Sequence, residues 1–197
     1  ERRRFAQVSH EYLIEQLQYQ SLAAGDNAKS HDLNFNHPVK ELIWVDDGTT
    51  FKNGATLLSG DGDNTGTLTA IASSGAATYQ LKLNGHDRFA ARDVTYFTRT
   101  QVWQHHTGTG GLDSLAVAAA GKLIDAIGVY SFALKPEEHQ PSGTCNFSRI
   151  DNAQLVCTGT QIADTIFAVN YNVLRIMSGM GGLAYSCLLY TSPSPRD

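Results

Sequence analysis

Charge is scarce in this sequence, cysteine is nearly absent, and no apolar run is long. Charged residues are 17% of the 197, and the balance is net −4 with histidine neutral. Nucleic-acid binders take most of their affinity from a basic surface that neutralises phosphate, so direct nucleic-acid binding is set aside. The one basic run, Arg2-Arg3-Arg4, is short and sits beside Glu1, and it reads as a solvated start of an element. The three cysteines, Cys145, Cys157 and Cys187, lack CxxC spacing and are too few for a disulfide framework. A Cys145–Cys157 bridge across a hairpin is the less favoured reading, because the register is not fixed. No stretch approaches the roughly 20 apolar residues that cross a bilayer. The charged first residues are no signal peptide, and a start at Glu1 without methionine is what a fragment would show.

The chain is long enough for one domain with a proper core. Its polar positions are rich in Thr, Ser, Asn, Gln and Gly, the mix of a β-rich fold with many turns. Phe5, Val8, Tyr12 and Tyr19, with Leu13 and Leu17 alongside, recur at roughly helical spacing, so a short helix is expected from Phe5 to about Gln20, ended by Gly25-Asp26-Asn27. After Pro38 the period becomes two. In "VKELIWV", Val39, Ile43 and Val45 share a face with Glu41, and Leu42 and Trp44 lie opposite. "TYQLKLN", "VTYFTR", "IGVYSFAL", "AQLVCT" and "TIFAVNYNVLRIM" are further strand candidates, and "GGLAYS" starts another. Asn53-Gly54, Asn84-Gly85 and Asp151-Asn152 mark turns. Short strands with polar turns predict an all-β antiparallel sandwich or barrel. The alanine-rich segment from Gly111 to Ala126 places Leu112, Leu115, Ala119 and Leu123 at helical spacing and predicts a helical insertion.

Several motifs invite chemistry and fail on spacing. "GDGDNTG" offers Asp61, Asp63 and Asn64 to a hard cation, but a calcium loop needs Glu where Ala72 stands, so a polar turn is the better reading. His105 and His106 are adjacent; on a strand they would point to opposite faces and could not share a metal. Gly121-Lys122 ends no phosphate loop, since Ala116 replaces the first glycine and Leu123 the hydroxyl. Asn146-Phe147-Ser148 is a glycosylation sequon of a kind that arises often by chance. "ALKPEEHQPSGTCNFSRIDN" gathers Glu137, Glu138, His139 and Cys145 between Pro136 and Pro141. A Cys–His hydrolase would need the thiolate near the imidazole and a third group orienting the base. Sequence proximity does not supply that, and a rigid exposed turn accounts for the same residues. Catalytic, cofactor and metal residues are therefore expected to be none.

One stretch carries more. "IGVYSFALKPEEHQPSGTCNFSRIDNAQL" closely resembles the signature of the major capsid proteins of nucleocytoplasmic large DNA viruses. "ERRRFAQVSHEYLIEQLQ", "NHPVKELIWV", "LNGHDRF" and "AVNYNVLRIMSGMGGLAYS" continue the resemblance in the family's order. The resemblance implies a double jelly roll, two eight-stranded β-sandwiches in one polypeptide. Residues 1–30 would be an inter-domain segment with the short helix. Residues 31–186 would be the C-terminal jelly roll, carrying the insertion at 111–126. It also implies a homotrimer with a pseudo-hexagonal outline, neighbouring capsomers and minor capsid proteins as partners, and a place in the virion, assembled in the host cytoplasm. The turn from Glu137 to Asn152 would be structural, its charges positioned against a neighbouring jelly roll. A carbohydrate-binding jelly roll is the alternative.

"CLLYTSPSPRD", residues 187–197, breaks with what precedes it and resembles the translation of a transposase adapter used in sequencing libraries. The natural protein is then interrupted at Ser186, with its final strand or strands replaced. A sandwich short of an edge strand and of its first-domain partner would expose apolar surface and dissolve poorly.

Overall fold

The computed structural model describes residues 7–21, 30–45, 78–107, 112–113, 123–124, 127–158, 165–177 and 180–185. The strands are β1 His10–Ser21, β2 Ser30–Asp32, β3 Pro38–Val45, β4 Thr78–Leu83, β5 His86–Asp87, β6 Arg92–Asp93, β7 Leu112–Asp113, β8 Leu123–Ile124, β9 Ile127–Ser131, β10 Cys145–Asn146, β11 Ala153–Thr158, β12 Thr165–Met177 and β13 Met180–Leu183. One sheet runs β1, β12, β3, with β9 and β10 both on the far edge of β3 and β13 beside β12. The other runs β2, β11, β4, β5, with β6 also on β4. Consecutive long strands alternate between the sheets: β1 to β2, β3 to β4, β11 to β12. That crossing path, with antiparallel pairing throughout, is the jelly-roll sandwich.

The helix expected from Phe5 to Gln20 is a strand. β1 pairs with β12 from His10↔Ile176 to Ser21↔Thr165 without a break. Glu, Gln and Leu favour helices in isolation, but a full-length partner overrides so weak a preference. Its two faces are a mostly apolar row, Leu13, Leu17 and Tyr19, and a glutamine row, Gln16, Gln18 and Gln20. Gln18 and Gln20 clasp the segment that leads from β2 to β3, while Gln16 Oε1 accepts from Asn172 Nδ2 at 2.9 Å. Gln18 Nε2 donates to Asn36 O at 2.7 Å while its Oε1 accepts from Asn36 N at 3.1 Å. Gln20 makes the same pair with Asp32 O and Asn34 N.

"VTYFTR", expected as a strand, is helical. Tyr96–Thr100 is wound as a π-helix and Gln101–His105 as an α-helix, together called α1. Asp93 Oδ1 accepts from Thr95 N and Oγ1 at its start. Val94, Phe97, Thr98 and Gln101 are buried, a helical spacing that the β-branched residues obscure. In the insertion at 111–126, expected as a helix, the described residues are strand, β7 pairing with β8; residues 111, 114–122, 125 and 126 lie outside the described residues. β12 lies in the middle of the first sheet, between β1 and β3.

The core lies between the sheets. Trp44 of the first sheet meets Tyr79 of the second at 5.5 Å between ring centroids, and Phe97 of α1 sits 5.3 Å and 5.7 Å from them. Phe89, Tyr130, Phe132, Phe147 and Phe35 continue the contact chain. Such edge-on and tilted pairs add to the burial of large rings. Asn84-Gly85 turns β4 into β5 with φ of 51° and 78°, as a two-residue hairpin requires. Asn84 Oδ1 also accepts from Asp151 N and Asn152 N, tying the two predicted turns together.

Gly128 faces Trp44 across the β3–β9 pair, and a Cβ there would collide with the indole ring. Trp44 is fully buried and cannot retreat. Gly128→Ala is expected to lower the unfolding free energy by about 1–3 kcal/mol, the usual cost of overpacking, measured by urea denaturation.

Candidate functional site

The sequence places a lysine and a glutamate inside an otherwise apolar strand, and β3 has to put them somewhere. It does so with one extra residue. Val169 pairs with Glu41 and Asn170 with Val39, leaving Lys40 as a bulge. The alternation expected for "VKELIWV" therefore breaks: Val39 joins Leu42 and Trp44 in the core, not Ile43 and Val45. Lys40 and Glu41 turn to the outer face, where Glu15 of β1 and Tyr171 of β12 also stand. On the other side, Lys40 O accepts from Phe132 N at 2.9 Å and Ala133 N at 3.2 Å. The loop after β9 starts from the bulge.

That loop, residues 132–144, folds back over the same face as a strap. Lys135 N donates to Ser142 Oγ at 2.9 Å, and Lys135 Nζ pairs with Glu138 at 2.9 Å. Gly143 has φ of 153°, and a Cβ on it would stand 2.6 Å from Phe132 O. The end of α1 is bound to the strap: His105 Nδ1 lies 3.0 Å from Leu134 O. Glu137 accepts from Thr107 N at 2.9 Å and Thr107 Oγ1 at 2.8 Å, and these bonds hold its carboxyl below its usual pKa.

Four charged groups sit beneath. Lys40, 4% exposed, reaches Glu15 at 2.8 Å and lies 5.5 Å from the Tyr171 ring centroid. His139 Nδ1 is 3.6 Å from the same Glu15 oxygen. His106 lies between two carboxylates, with Nε2 2.9 Å from Glu41 Oε2 and Nδ1 3.2 Å from Glu137 Oε1. The Glu41 contact, the largest influence, and the Glu137 contact raise the imidazole pKa against the opposing effect of burial. Glu41 Oε2 and His106 Nε2 are buried, and their approach is that of an ion pair rather than an aligned hydrogen bond.

The stretch from Ala133 to Asn152 is thus a clasp. Its acids and histidine bind the domain's own β1 and α1, not a common cavity. Glu137 and Glu138 diverge to Thr107 and Lys135. His139 turns to Glu15, while Cys145 lies on β10 opposite Val39, and no hydrogen bond joins them among the described residues. Burial pushes the Cys145 thiol up, only partly offset by the Arg88 charge, the reverse of what a nucleophile needs. Cys145 and Cys157 stand on different sheets with no disulfide between them. His105 and His106 end a helix instead of occupying a strand, and each has a separate partner. Asn146 Oδ1 accepts from Ser148 N, capping a short turn at Phe147–Arg149. "GDGDNTG" and Gly121-Lys122 lie outside the described residues. Among the described residues no cluster of His, Cys, Asp or Glu has a metal-holding arrangement.

An open hollow of about 520 Å³ sits at the start of β3, lined by Leu13, His37, Asn146, Arg149, Tyr171 and Tyr185 among others. His37 has φ of 66°, held by Ser148 Oγ accepting from its N–H at 2.8 Å. Burial lowers its imidazole pKa. Glu15, Lys40, Glu41 and Thr107 are the clasp residues that sequence reasoning missed. The one available signal was the Lys40-Glu41 pair inside an apolar strand.

Two crossing sheets and an internally satisfied charge cluster define a jelly-roll packing unit. The model of the family described as large eukaryotic DNA virus major capsid protein matches residues 1–182, and the chain belongs to that family. It is 52% identical over 200 residues to the major capsid protein of Pyramimonas orientalis virus, covering 94% of this chain and 46% of that one. It is 41% identical to the major capsid protein of Paramecium bursaria Chlorella virus 1, covering 94% and 51%. The chain thus spans about half the length of these relatives. The solved structure titled as the quasi-atomic model of the PBCV-1 virus capsid matches with a TM-score of 0.68 at 36% identity, over 94% of this chain and 54% of that one.

Gly143→Ala is expected to lower stability by about 1–3 kcal/mol, because the strain of its φ has no relief there, and to raise amide exchange across residues 132–143. A thiol reagent near neutral pH should label Cys145 more slowly in the folded chain than in the urea-unfolded chain. Faster labelling when folded would reveal an activated thiolate.

Proposed function

We propose that this chain supplies the C-terminal jelly roll of a double-jelly-roll capsid polypeptide, three copies of which form a pseudo-hexagonal capsomer of an icosahedral shell. One observation carries the reading: a chain about half the length of its relatives pairs its described strands into two crossed sheets. A partner unit of similar size is then left for the rest of the polypeptide. The pairing of β1 with β12 along its whole length supports counting residues 10–21 with the sandwich instead of with an inter-domain segment of residues 1–30. The remaining described strands run from Ser30 to Leu183.

The work of such a protein is assembly. Rigid sandwiches pack side by side through large buried areas, and such contacts are durable. The strap's charges serve the domain's own stiffness, which keeps its surfaces in register with neighbouring capsomers and minor capsid proteins. No residue turns over a substrate, and nucleic acid is not bound directly. The protein is a virion component assembled in the host cytoplasm. Among the described residues no helix is long and apolar enough to cross a membrane.

Size-exclusion chromatography with light scattering on the longer parent polypeptide tests this. A trimer is expected. A monomer at high concentration that processes a small molecule would overturn the reading.

A further inference from the structure

We propose that His106 is a pH-sensitive latch that holds the 132–143 strap and the end of α1 against the outer face of the first sheet. The argument is geometric. Both ring nitrogens face carboxylate oxygens, Nε2 toward Glu41 and Nδ1 toward Glu137, at 2.9 Å and 3.2 Å. Only the imidazolium carries a proton on each nitrogen. The neutral ring would turn a lone pair toward one of the two carboxylates.

The neighbours cannot take over. Lys40 is committed to Glu15 at 2.8 Å and packs on Tyr171. His139 also faces Glu15. Lys135 is held by Glu138 on the strap itself, and His105 by Leu134 O. The Tyr171 hydroxyl is buried without a hydrogen-bond partner among the described residues, and its pKa is raised by burial. Glu41 is 8% exposed, so without the imidazolium its charge has neither a cation nor bulk water.

The sign follows from the raised pKa. The latch's contribution is fully present below the ordinary value of 6.5 and is lost as pH rises through the raised folded value. On opening, Glu137 with Thr107 and the strap lift away, and Lys40 and Glu41 reach water. The device is independent of the capsid reading, because it acts within one chain.

Amide hydrogen exchange on the purified chain from about pH 6 to about pH 9, corrected for intrinsic rates, reads the latch directly. Protection at residues 105–107 and 132–143 should fall by about tenfold or more across that range, while β4 and β11 hold theirs. His37 titrates with the opposite sign and sits at the other end of the bulge region, so the local readout separates it. His106→Gln should show low strap protection at every pH. Should that variant fail to fold, Glu137→Gln, at a half-exposed site, should keep the fold and move the midpoint to lower pH. Unchanged protection across the range overturns the proposal. So does a His106→Gln profile with the wild-type pH dependence, or a Glu137→Gln midpoint that does not move.

Discussion

The extra residue at Lys40 organises both faces of this sandwich. Without it, β3 would alternate evenly, and Val39 would lie with Glu41 on the outer face, away from Leu42 and Trp44. With it, the apolar residues at both ends of the strand reach the core, and the charged pair is put outside. A bulge leaves backbone groups without ladder partners. Here the Lys40 carbonyl takes two N–H donors from the first residues of the strap. The same irregularity therefore sorts the core, anchors the loop and places the base and acid that the loop must cover.

The two faces then stabilise one another. Inside, Trp44, Tyr79 and Phe97 join both sheets and α1 in one aromatic contact, which fixes where α1 ends. That end delivers His106 and Thr107 to the strap. Outside, the strap closes over Lys40 and Glu41, whose counter-charges come from Glu15 of β1 and from His106 just after α1; either group would be costly to bury alone. Residues of the types used in catalysis are here partners in a packing device, and each is engaged by this chain's own side chains or backbone.

The sequence was most legible where one face is apolar and the other polar. β4 and β11 alternate in burial with period two, and the Asn84-Gly85 turn has the φ values its residues announce. Legibility failed at β1, whose inward row is glutamine and whose outer row is half apolar. Gln18 and Gln20 are inside because they satisfy backbone groups of residues 32–36, a contact between segments that no local period encodes. It failed again at α1, where β-branched residues in a helix mimic a strand. The clasp escaped because its members come from β1, β3, α1 and the strap, and only the bulge brings them together. Family resemblance found the strap by its sequence; its contacts within this chain, Glu137 to Thr107, Glu138 to Lys135 and His139 to Glu15, were not legible there.

A double-mutant cycle between Glu41 and His106 tests most directly whether these groups hold the sandwich together. Unfolding free energies would be measured for the wild type, Glu41→Gln, His106→Gln and the double variant at about pH 6. A structural clasp predicts a coupling of about 1–3 kcal/mol, since each partner is the other's buried counter-charge. Additivity to within about 0.5 kcal/mol would contradict it.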